Sequence, residues 1–341
     1  MSALRSFGVP GFSFVRIKSG RVKFLPFHSR YHSLVLLVFF ICFFIQTQTF
    51  ADTGEGGYAG SFLLLGLEGR AVGMGQAFVG VADNAGGALW NPAGTAQLES
   101  RTFGASYRKM FFDRGMGWVG YAQPVRGEAA VGLSWINAGV ADVVGRDLEG
   151  NPTEEIDNYQ NAVLFNFARK MHEKLFLGLN IKYIQYNLAN ISAYGVGFDF
   201  GAMGRPIPDL RIGACIQNVG LKYSWNSGDY WSERGEQGTD TKDDFPINFK
   251  FGASYLLFEK DLLLALEIDK NEKQDARFYL GAEYNMIKRI SLRAGYNDEL
   301  LSFGAGIRHK FEKFTLNFDY AFVSSKVEED PDHLFSIGVG F

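Results

Sequence analysis

Residues able to carry out acid–base or metal chemistry are few in this chain. After the first 51 residues the histidines are His172, His309 and His333, and no two have the spacing of metal ligands. The chain lacks the Gly-x-Ser-x-Gly motif that forms the nucleophile turn of many hydrolases. Cys215 is the single cysteine in the same part, which excludes an internal disulfide or a cysteine cluster there, and it is expected to pack in a strand. The sequence therefore predicts a protein that is not an enzyme and has no metal or cofactor.

A glycine-rich stretch from Gly69 to Leu98 could be considered a nucleotide-binding motif. Gly73, Gly75 and Gly80 suggest phosphate binding, but their spacing departs from Gly-x-Gly-x-x-Gly and no βαβ pattern follows. Small residues at this density let one backbone approach another closely, as in a segment tucked inside a barrel. The run Asn91-Pro92-Ala93-Gly94 would break a strand and start a turn or short helix.

Single charged residues recur in the row of side chains that opposes each apolar row. They are Lys170, Lys182, Asp199, Arg211, Lys250, Glu267, Glu283, Arg293, Arg308 and Asp319. A strand places alternate residues on opposite faces, so these ten side chains are predicted to face one enclosed lumen. A network of ion pairs is the simplest explanation for charges of both signs in such a place.

The elements that carry these residues are strands with a period of two. Every second residue from Phe314 to Phe322 is Phe, Leu or Tyr, and every second residue from Phe335 to Phe341 is apolar. The opposing rows are mainly small residues, whereas a water-facing row would be rich in Lys, Glu and Thr. This combination is typical of a barrel whose aromatic face meets lipid and whose interior is crowded.

Fourteen such segments can be counted after Arg101, an even number as bacterial single-chain barrels require. Long connections such as 139–158 and 218–245 alternate with short ones such as 126–127 and 171–174. Outer-membrane barrels have long external loops and short periplasmic turns. The sequence therefore predicts an all-β transmembrane antiparallel barrel of about 14 strands at 101–341, with a small N-terminal plug at 52–100.

Residues 1–51 have the layout of a secretory signal peptide. Six basic residues without an acid precede the apolar run from Leu34 to Ile45, and Thr49-Phe50-Ala51 supplies small residues for cleavage. The apolar run is shorter than the roughly 20 residues that span a bilayer as a helix, although a retained anchor is the alternative. Removal leaves 28 basic and 37 acidic residues, a net charge of -9, which does not support nucleic-acid binding. We expect export to the bacterial outer membrane.

The connection at 219–245 contains four large aromatic residues, Tyr223, Trp225, Tyr230 and Trp231. A plain spacer does not need them. Two interpretations stay open: a contact surface for a partner, or a loop that folds inward over the barrel mouth.

The glycine-rich stretch resembles a known family signature. Its Gly-Met-Gly at 73–75, Ala-Asp-Asn at 82–84 and Asn-Pro-Ala-Gly at 91–94 resemble the N-terminal signature of the PorV/PorQ outer-membrane proteins. That group is similar to the FadL-like superfamily of fourteen-stranded barrels with an N-terminal plug. Asp83 and Asn84 stand where paired acids are expected, so the resemblance assigns them no ligand. The terminal Phe341 resembles the signal that the barrel assembly machinery recognises.

The resemblance implies two different functions. PorV-like members are non-enzymatic components of type IX secretion that receive the C-terminal domains of exported cargo and pass them to a surface attachment complex. FadL-like members carry hydrophobic small molecules past the plug and through a lateral opening of the wall. The glycine-rich motif favours secretion, and hydrophobic transport is the alternative. Three other interpretations are less consistent with the sequence. A glycine-filled lumen argues against a diffusive pore, the missing Gly-x-Ser-x-Gly motif argues against an outer-membrane hydrolase, and the leader argues against a soluble sandwich.

Overall fold

The computed structural model describes residues 58–341 except 142, 190, 229–230, 232–234, 236, 298–299 and 326–329. The predicted signal peptide and Tyr230 lie outside the described residues. Within the described part of the chain, no helix is long and apolar enough to cross a membrane.

Strands account for most of the chain after residue 101. In chain order they are β1 Thr102–Lys109, β2 Arg114–Val125, β3 Ala129–Val140, β4 Val144–Arg146, β5 Pro152–Glu155, β6 Asn158–His172, β7 Leu175–Leu188, β8 Ile191–Ile207, β9 Leu210–Val219, β10 Lys222–Asn226, β11 Asp240–Asp244, β12 Asn248–Leu257, β13 Leu262–Asn271, β14 Arg277–Ile287, β15 Ile290–Asn297, β16 Leu300–Lys310, β17 Thr315–Val323 and β18 Asp332–Gly340.

Fourteen of these strands form one closed antiparallel barrel, which confirms the predicted fold class. The first and last strands pair continuously from Thr102↔Gly340 to Lys109↔His333, and β8 pairs with β9, so the ring has no open edge. The four remaining strands belong to two hairpins within the long connections. The β4–β5 hairpin is separate, whereas β10 pairs with β8 and extends the wall beyond the barrel.

The barrel exterior carries the apolar row, as the alternation predicts. Phe165 is 59 % exposed, Phe318 is 47 % exposed and Phe335 is 46 % exposed. Their neighbours in sequence face inward: Leu164 and Asn166, Asn317 and Asp319, and Leu334 and Ser336. Cys215 is one of the inward residues and is buried in β9, as expected. An outer surface of exposed aromatic and aliphatic side chains is suited to lipid rather than to water.

Residues 58–98, here called the inner segment, lie within the ring of strands. The segment contains a 3₁₀ helix at Ser61–Leu64, helix α1 at Gly69–Gly73, helix α2 at Gly87–Trp90 and a 3₁₀ helix at Pro92–Gln97. It begins near the end of the barrel that has the long connections, here called the loop end, where Gly60 lies against Phe245. It joins β1 at the opposite end, here called the turn end.

Candidate functional site

Asn91 ties the inner segment to the barrel wall. Its side-chain oxygen accepts a hydrogen bond from the backbone nitrogen of Ala93 at 3.0 Å, which caps the 3₁₀ helix that begins at Pro92. Its side-chain nitrogen donates to the carbonyl oxygens of Val79 at 3.1 Å and of Ala202 in β8 at 3.0 Å. Each polar atom of this fully buried amide is used, so the Asn-Pro-Ala-Gly motif acts as a structural joint.

Glycines of the inner segment and of the wall allow the two backbones to come into contact. A Cβ atom added at Gly295 in β15 would lie 1.9 Å from the nitrogen of Gly75, and one at Gly94 would lie 2.2 Å from the carbonyl oxygen of Ala82. Gly75 has a φ of 62° and donates from its nitrogen to Ser302 Oγ at 3.0 Å. Gly73 lies against Gly304 in the same way. These positions exclude larger side chains for reasons of space.

Arg70 of α1 is the centre of a charged network inside the barrel. Its guanidinium donates from Nε and Nη2 to the two carboxylate oxygens of Glu283 at 2.8 and 2.9 Å, and from Nη1 to Asp83 at 2.5 Å. Asp83 also accepts from Arg211 of β9 at 2.9 Å. Glu283 also accepts from Arg293 at 2.6 Å. Arg293 in turn donates to Asp319 at 2.7 Å.

This network contains three arginines and three acids, so its formal charges cancel. Asp83 shows how strongly the partners act, because burial would raise the pKa of its carboxyl, yet Arg70 and Arg211 together lower it below its ordinary value. A buried charge is tolerated when it is paired and hydrogen-bonded, and it is costly when one partner is lost. The network therefore holds α1 against the wall from β9 to β17.

Two further sets of charged residues lie in the interior, one that binds the inner segment and one that binds within the wall. Glu267 accepts from the backbone nitrogens of Phe78 and Val79, both at 2.9 Å, and Lys250 lies 3.7 Å from Glu267. Lys182 donates to Asp199 at 2.9 Å and to Asn218 at 2.8 Å. A carboxylate that receives two backbone amides can hold a turn of irregular chain, which Glu267 does for the inner segment.

Eight of the ten predicted lumen charges are thus brought into the interior, and two are not. Lys170 is paired with Glu128 at 2.8 Å at the turn end, where its side chain is 30 % exposed. Arg308 is exposed at the same end and donates to Asn317 at 3.0 Å. Both have the inward register, but they lie close to the ends of their strands, where the side chain meets the open rim. These two thus have the predicted register but lie at the rim of the lumen rather than in its buried part.

Side chains outside the predicted set also hold the inner segment. Asn166 donates to the carbonyl oxygen of Pro92 at 3.0 Å, and Asn180 donates to that of Ala88 at 2.8 Å. Arg70 itself was missed by the sequence reasoning, which treated its surroundings as a small-residue stretch. A charged residue in such a stretch is a signal that a buried partner exists.

The aromatic residues of the 219–245 connection divide between the two interpretations left open. Tyr223 of β10 is 2 % exposed, and its ring lies 4.9 Å from that of Phe245 and 5.7 Å from that of Tyr186. It folds inward and is not available as a partner surface. Trp225 is partly exposed and donates to Asp243 at 2.6 Å. Trp231 is also partly exposed, and its backbone nitrogen donates to the carbonyl oxygen of Ser227.

Phe341 closes the ring beside β1. Its backbone exchanges two hydrogen bonds with Arg101, at 2.9 and 3.1 Å, and its side chain is 51 % exposed at the turn end. Its role as an assembly signal stays a prediction.

An apolar cluster fills the loop-end half of the interior on the side of β2 to β7. It is formed by buried residues of the wall and of the inner segment, among them Phe62, Leu67, Met116, Trp118, Ile136, Leu164 and Ile184. Buried cations border the cluster: Arg108 of β1 lies opposite Met116 and is paired with Asp332, and Lys182 and Lys250 line a small cavity together with Met116 and Leu164. The loop-end half of the interior is therefore mainly apolar but not free of charge.

A groove of about 900 Å³ lies on the outer face of the wall along β2. Its floor includes Gly115 and Gly117, which leave the loop-end part of the outer face of β2 without side chains, and Tyr107 and Trp135 lie beside it. Since alternate residues of a strand face opposite sides, Met116 enters the interior cluster while the glycines face the groove. Strand β2 thus has the packed apolar cluster on its inner face and the groove on its outer face.

The charged residues that line the groove are of one sign. Among its lining residues in the described part of the chain are two acids, Asp113 and Asp157, and no lysine, arginine or histidine. Most of the remaining lining is apolar or glycine, with hydrogen-bonding groups such as Asn137 near the loop end. The lining is therefore suited to an apolar and uncharged molecule.

Comparisons with known proteins identify the fold. No protein-family model matches the chain, and no curated protein matches its sequence. Among solved structures, a FadL homologue of Pseudomonas aeruginosa is similar with a TM-score of 0.55 and 12% identity, covering 81% of this chain and 98% of that chain. The toluene transporter TodX of Pseudomonas putida is similar with a TM-score of 0.54 and 13% identity, covering 86% of this chain and 99% of that chain. The fold is that of FadL-type outer-membrane barrels.

Proposed function

We propose that this chain is an outer-membrane channel for neutral hydrophobic small molecules. The observation that carries the proposal is that both faces of β2 are mainly apolar, with the packed interior cluster around Met116 on one side and the glycine-floored groove on the other. A hydrophobic solute that enters from the loop end meets the apolar cluster, which the Arg108–Asp332 ion pair borders, before it reaches the charged network of Arg70. Sideways exit across β2 would release it into lipid without crossing those charges.

In this structure the wall at that point is closed. Strands β1 and β2 pair without interruption from Thr102↔Ala122 to Lys109↔Gly115. Passage therefore requires local opening of β2. Glycine weakens a strand because it contributes no side chain to packing and has more freedom in the open state, so Gly115 and Gly117 place the weakest stretch of β2 beside the groove.

The chemistry of the groove favours neutral substrates over carboxylates. Asp113 and Asp157 would repel an anion, and the lining has no cation to pair with it. An alcohol or an aromatic hydrocarbon meets no such penalty. The similarity to TodX, a toluene transporter, supports this proposal at the level of the fold only.

The alternative is a docking barrel for the C-terminal domains of secreted cargo, of PorV/PorQ type. Its support is the resemblance of the glycine-rich stretch. In the structure those residues, such as Gly75 and Asn91, join the inner segment to the wall, a role that any barrel filled in this way requires. Of the loop aromatics suggested as a partner surface, Tyr223 is buried. Hydrophobic transport is therefore the better supported function.

The proposal is tested by uptake of labelled toluene into cells that express the full chain in an outer membrane lacking its own hydrocarbon channels. The informative variant is Gly117→Phe, which places an aromatic ring on the floor of the groove. A Cβ at this position would meet only the Ser106 carbonyl oxygen at 3.9 Å, so the barrel should still fold. The matched control is Ala305→Phe, which adds the same ring to an outward position on β16.

We expect uptake with the natural chain and with Ala305→Phe, and uptake near background with Gly117→Phe. Uptake no faster than in cells without the protein would overturn the transport function. Uptake that Gly117→Phe leaves unchanged would overturn the route along β2. Comparison of 1-octanol with octanoate tests the charge preference, and faster uptake of octanoate would contradict it.

A further inference from the structure

Glu68 and Asn84 form an unusual buried pair in the inner segment. Glu68 is 7 % exposed, and the side-chain nitrogen of Asn84 donates to its Oε1. The second oxygen of each group, Glu68 Oε2 and Asn84 Oδ1, is buried without a hydrogen-bond partner among the described residues. Oε2 lies against Gly86, where an added Cβ would be 2.5 Å away. Two acceptors that belong to one hydrogen-bonded pair are thus left without a donor.

A single proton on Oε2 resolves both deficiencies. A protonated carboxyl has one donor as well as acceptor capacity, and a carboxamide offers both a donor and an acceptor. An acid and an amide already joined by one hydrogen bond can then form a second in the opposite direction, from Glu68 Oε2 to Asn84 Oδ1. An ionised Glu68 would keep a buried oxygen unsatisfied, which is costly.

Among the described residues, the cations near Glu68 are engaged by other acids or by Asn317. Arg70 of the inner segment is engaged by Asp83 and Glu283, and Asp319 of β17 adds a further negative charge close by. Glu68 lines a cavity of about 330 Å³. The other charged side chains in the lining are Arg70, Asp83, Arg211, Glu283, Arg293, Arg308 and Asp319. Arg211 and Arg293 are bonded to other acids, and Arg308 is bonded to Asn317 at the rim.

We propose that Glu68 is a proton-binding site that holds the inner segment in the barrel. In the observed arrangement its carboxyl is uncharged and paired with Asn84. The proton leaves when the inner segment moves and Glu68 reaches water. Glu68 immediately precedes α1, and Gly66 and Glu68 both have positive φ values, 70° and 87°.

The direction of the pH effect follows from linkage. Burial raises the pKa of Glu68 to about 8, although Arg70 opposes the shift. A water-exposed glutamate has a pKa near 4.3, so movement of the segment releases a proton between roughly pH 4.3 and pH 8. The state in which the inner segment is in place and Glu68 is buried is therefore most stable below that window. The opening equilibrium should rise about tenfold per pH unit within the window and level off above pH 8.

Hydrogen exchange of the full chain in nanodiscs measures this opening through peptides of residues 60–97, at pH 5.5 and pH 7.5 after correction for base-catalysed chemical exchange. The natural protein should open up to about 100-fold more at pH 7.5. Glu68→Gln places an amide where the carboxyl was and cannot ionise, so its opening should change little with pH. Glu149→Gln, at an exposed loop position, is the control and should behave like the natural protein.

Equal pH dependence in Glu68→Gln and the natural protein would overturn the proposal. Infrared spectroscopy gives a test that does not depend on movement of the segment. The difference spectrum between the natural chain and the Glu68→Gln variant should show the carbonyl stretch of a protonated carboxylic acid at pH 6. This band should be lost above pH 9. Its absence at pH 6 would also overturn the proposal.

Discussion

Arg70 and Glu283 form a two-point ion pair that joins the inner segment to the barrel, with N–O distances of 2.8 and 2.9 Å. Both side chains are largely buried. The pair also connects the two halves of the charged network, because Arg70 binds Asp83 and Glu283 binds Arg293.

Replacing Arg70 with Met should destabilise the protein strongly. The change leaves Glu283 and Asp83 with one cation each inside the barrel, and loss of one partner of a buried pair costs about 3 to 5 kcal/mol. The free energy of unfolding, from urea titration in detergent, measures this. Lys170→Met is the control, because it breaks only the solvent-screened pair with Glu128 and should change the stability much less. Equal losses in the two variants would mean that the network around Arg70 does not hold the barrel together.

Much of the barrel could be predicted from the sequence because lipid and a crowded interior impose opposite demands on alternate residues. The pattern places Phe318 outside and Asp319 inside without knowledge of any contact. The β10–β11 hairpin was not predicted, because five-residue strands carry too little alternation. The partners of the lumen charges depend on where the inner segment lies. For this reason Arg70 and the Glu68–Asn84 pair became evident only in three dimensions.

Phe318→Arg should cost about 2 to 4 kcal/mol of folding free energy in a bilayer if the position is near the middle of the lipid. Phe318 is 47 % exposed on the outer face, so an arginine there would meet hydrocarbon. Phe314→Arg at the turn end is the control, and the cost there should be about 0 to 1 kcal/mol since the lipid boundary is close. Folding into vesicles under a urea gradient gives both values. A cost at 314 as large as at 318 would contradict the placement of the lipid boundary.

Gly295→Ala should displace the inner segment while the barrel still forms. A Cβ at Gly295 would lie 1.9 Å from the backbone nitrogen of Gly75, a contact that cannot be relieved by rotation of a side chain. We expect faster proteolysis of residues 58–98 and a larger single-channel conductance. Gly338→Ala is the matched control, because its Cβ would have contacts of 3.7 to 3.9 Å. Unchanged conductance and proteolysis in Gly295→Ala would show that the segment does not require this contact.

Tyr223→Ala should destabilise the loop end of the barrel. The ring is packed between Phe245, Tyr186 and Trp225, and truncation of a buried aromatic residue costs about 3 to 5 kcal/mol. Tyr223→Phe is the control, since it removes only the hydroxyl that donates to Gln160 at 3.1 Å, a hydrogen bond worth about 0.5 to 1.5 kcal/mol. Urea titration should separate the two. If Tyr223→Ala instead leaves stability unchanged and abolishes capture of a secreted cargo domain, the aromatic connection serves a partner and the secretion function regains its support.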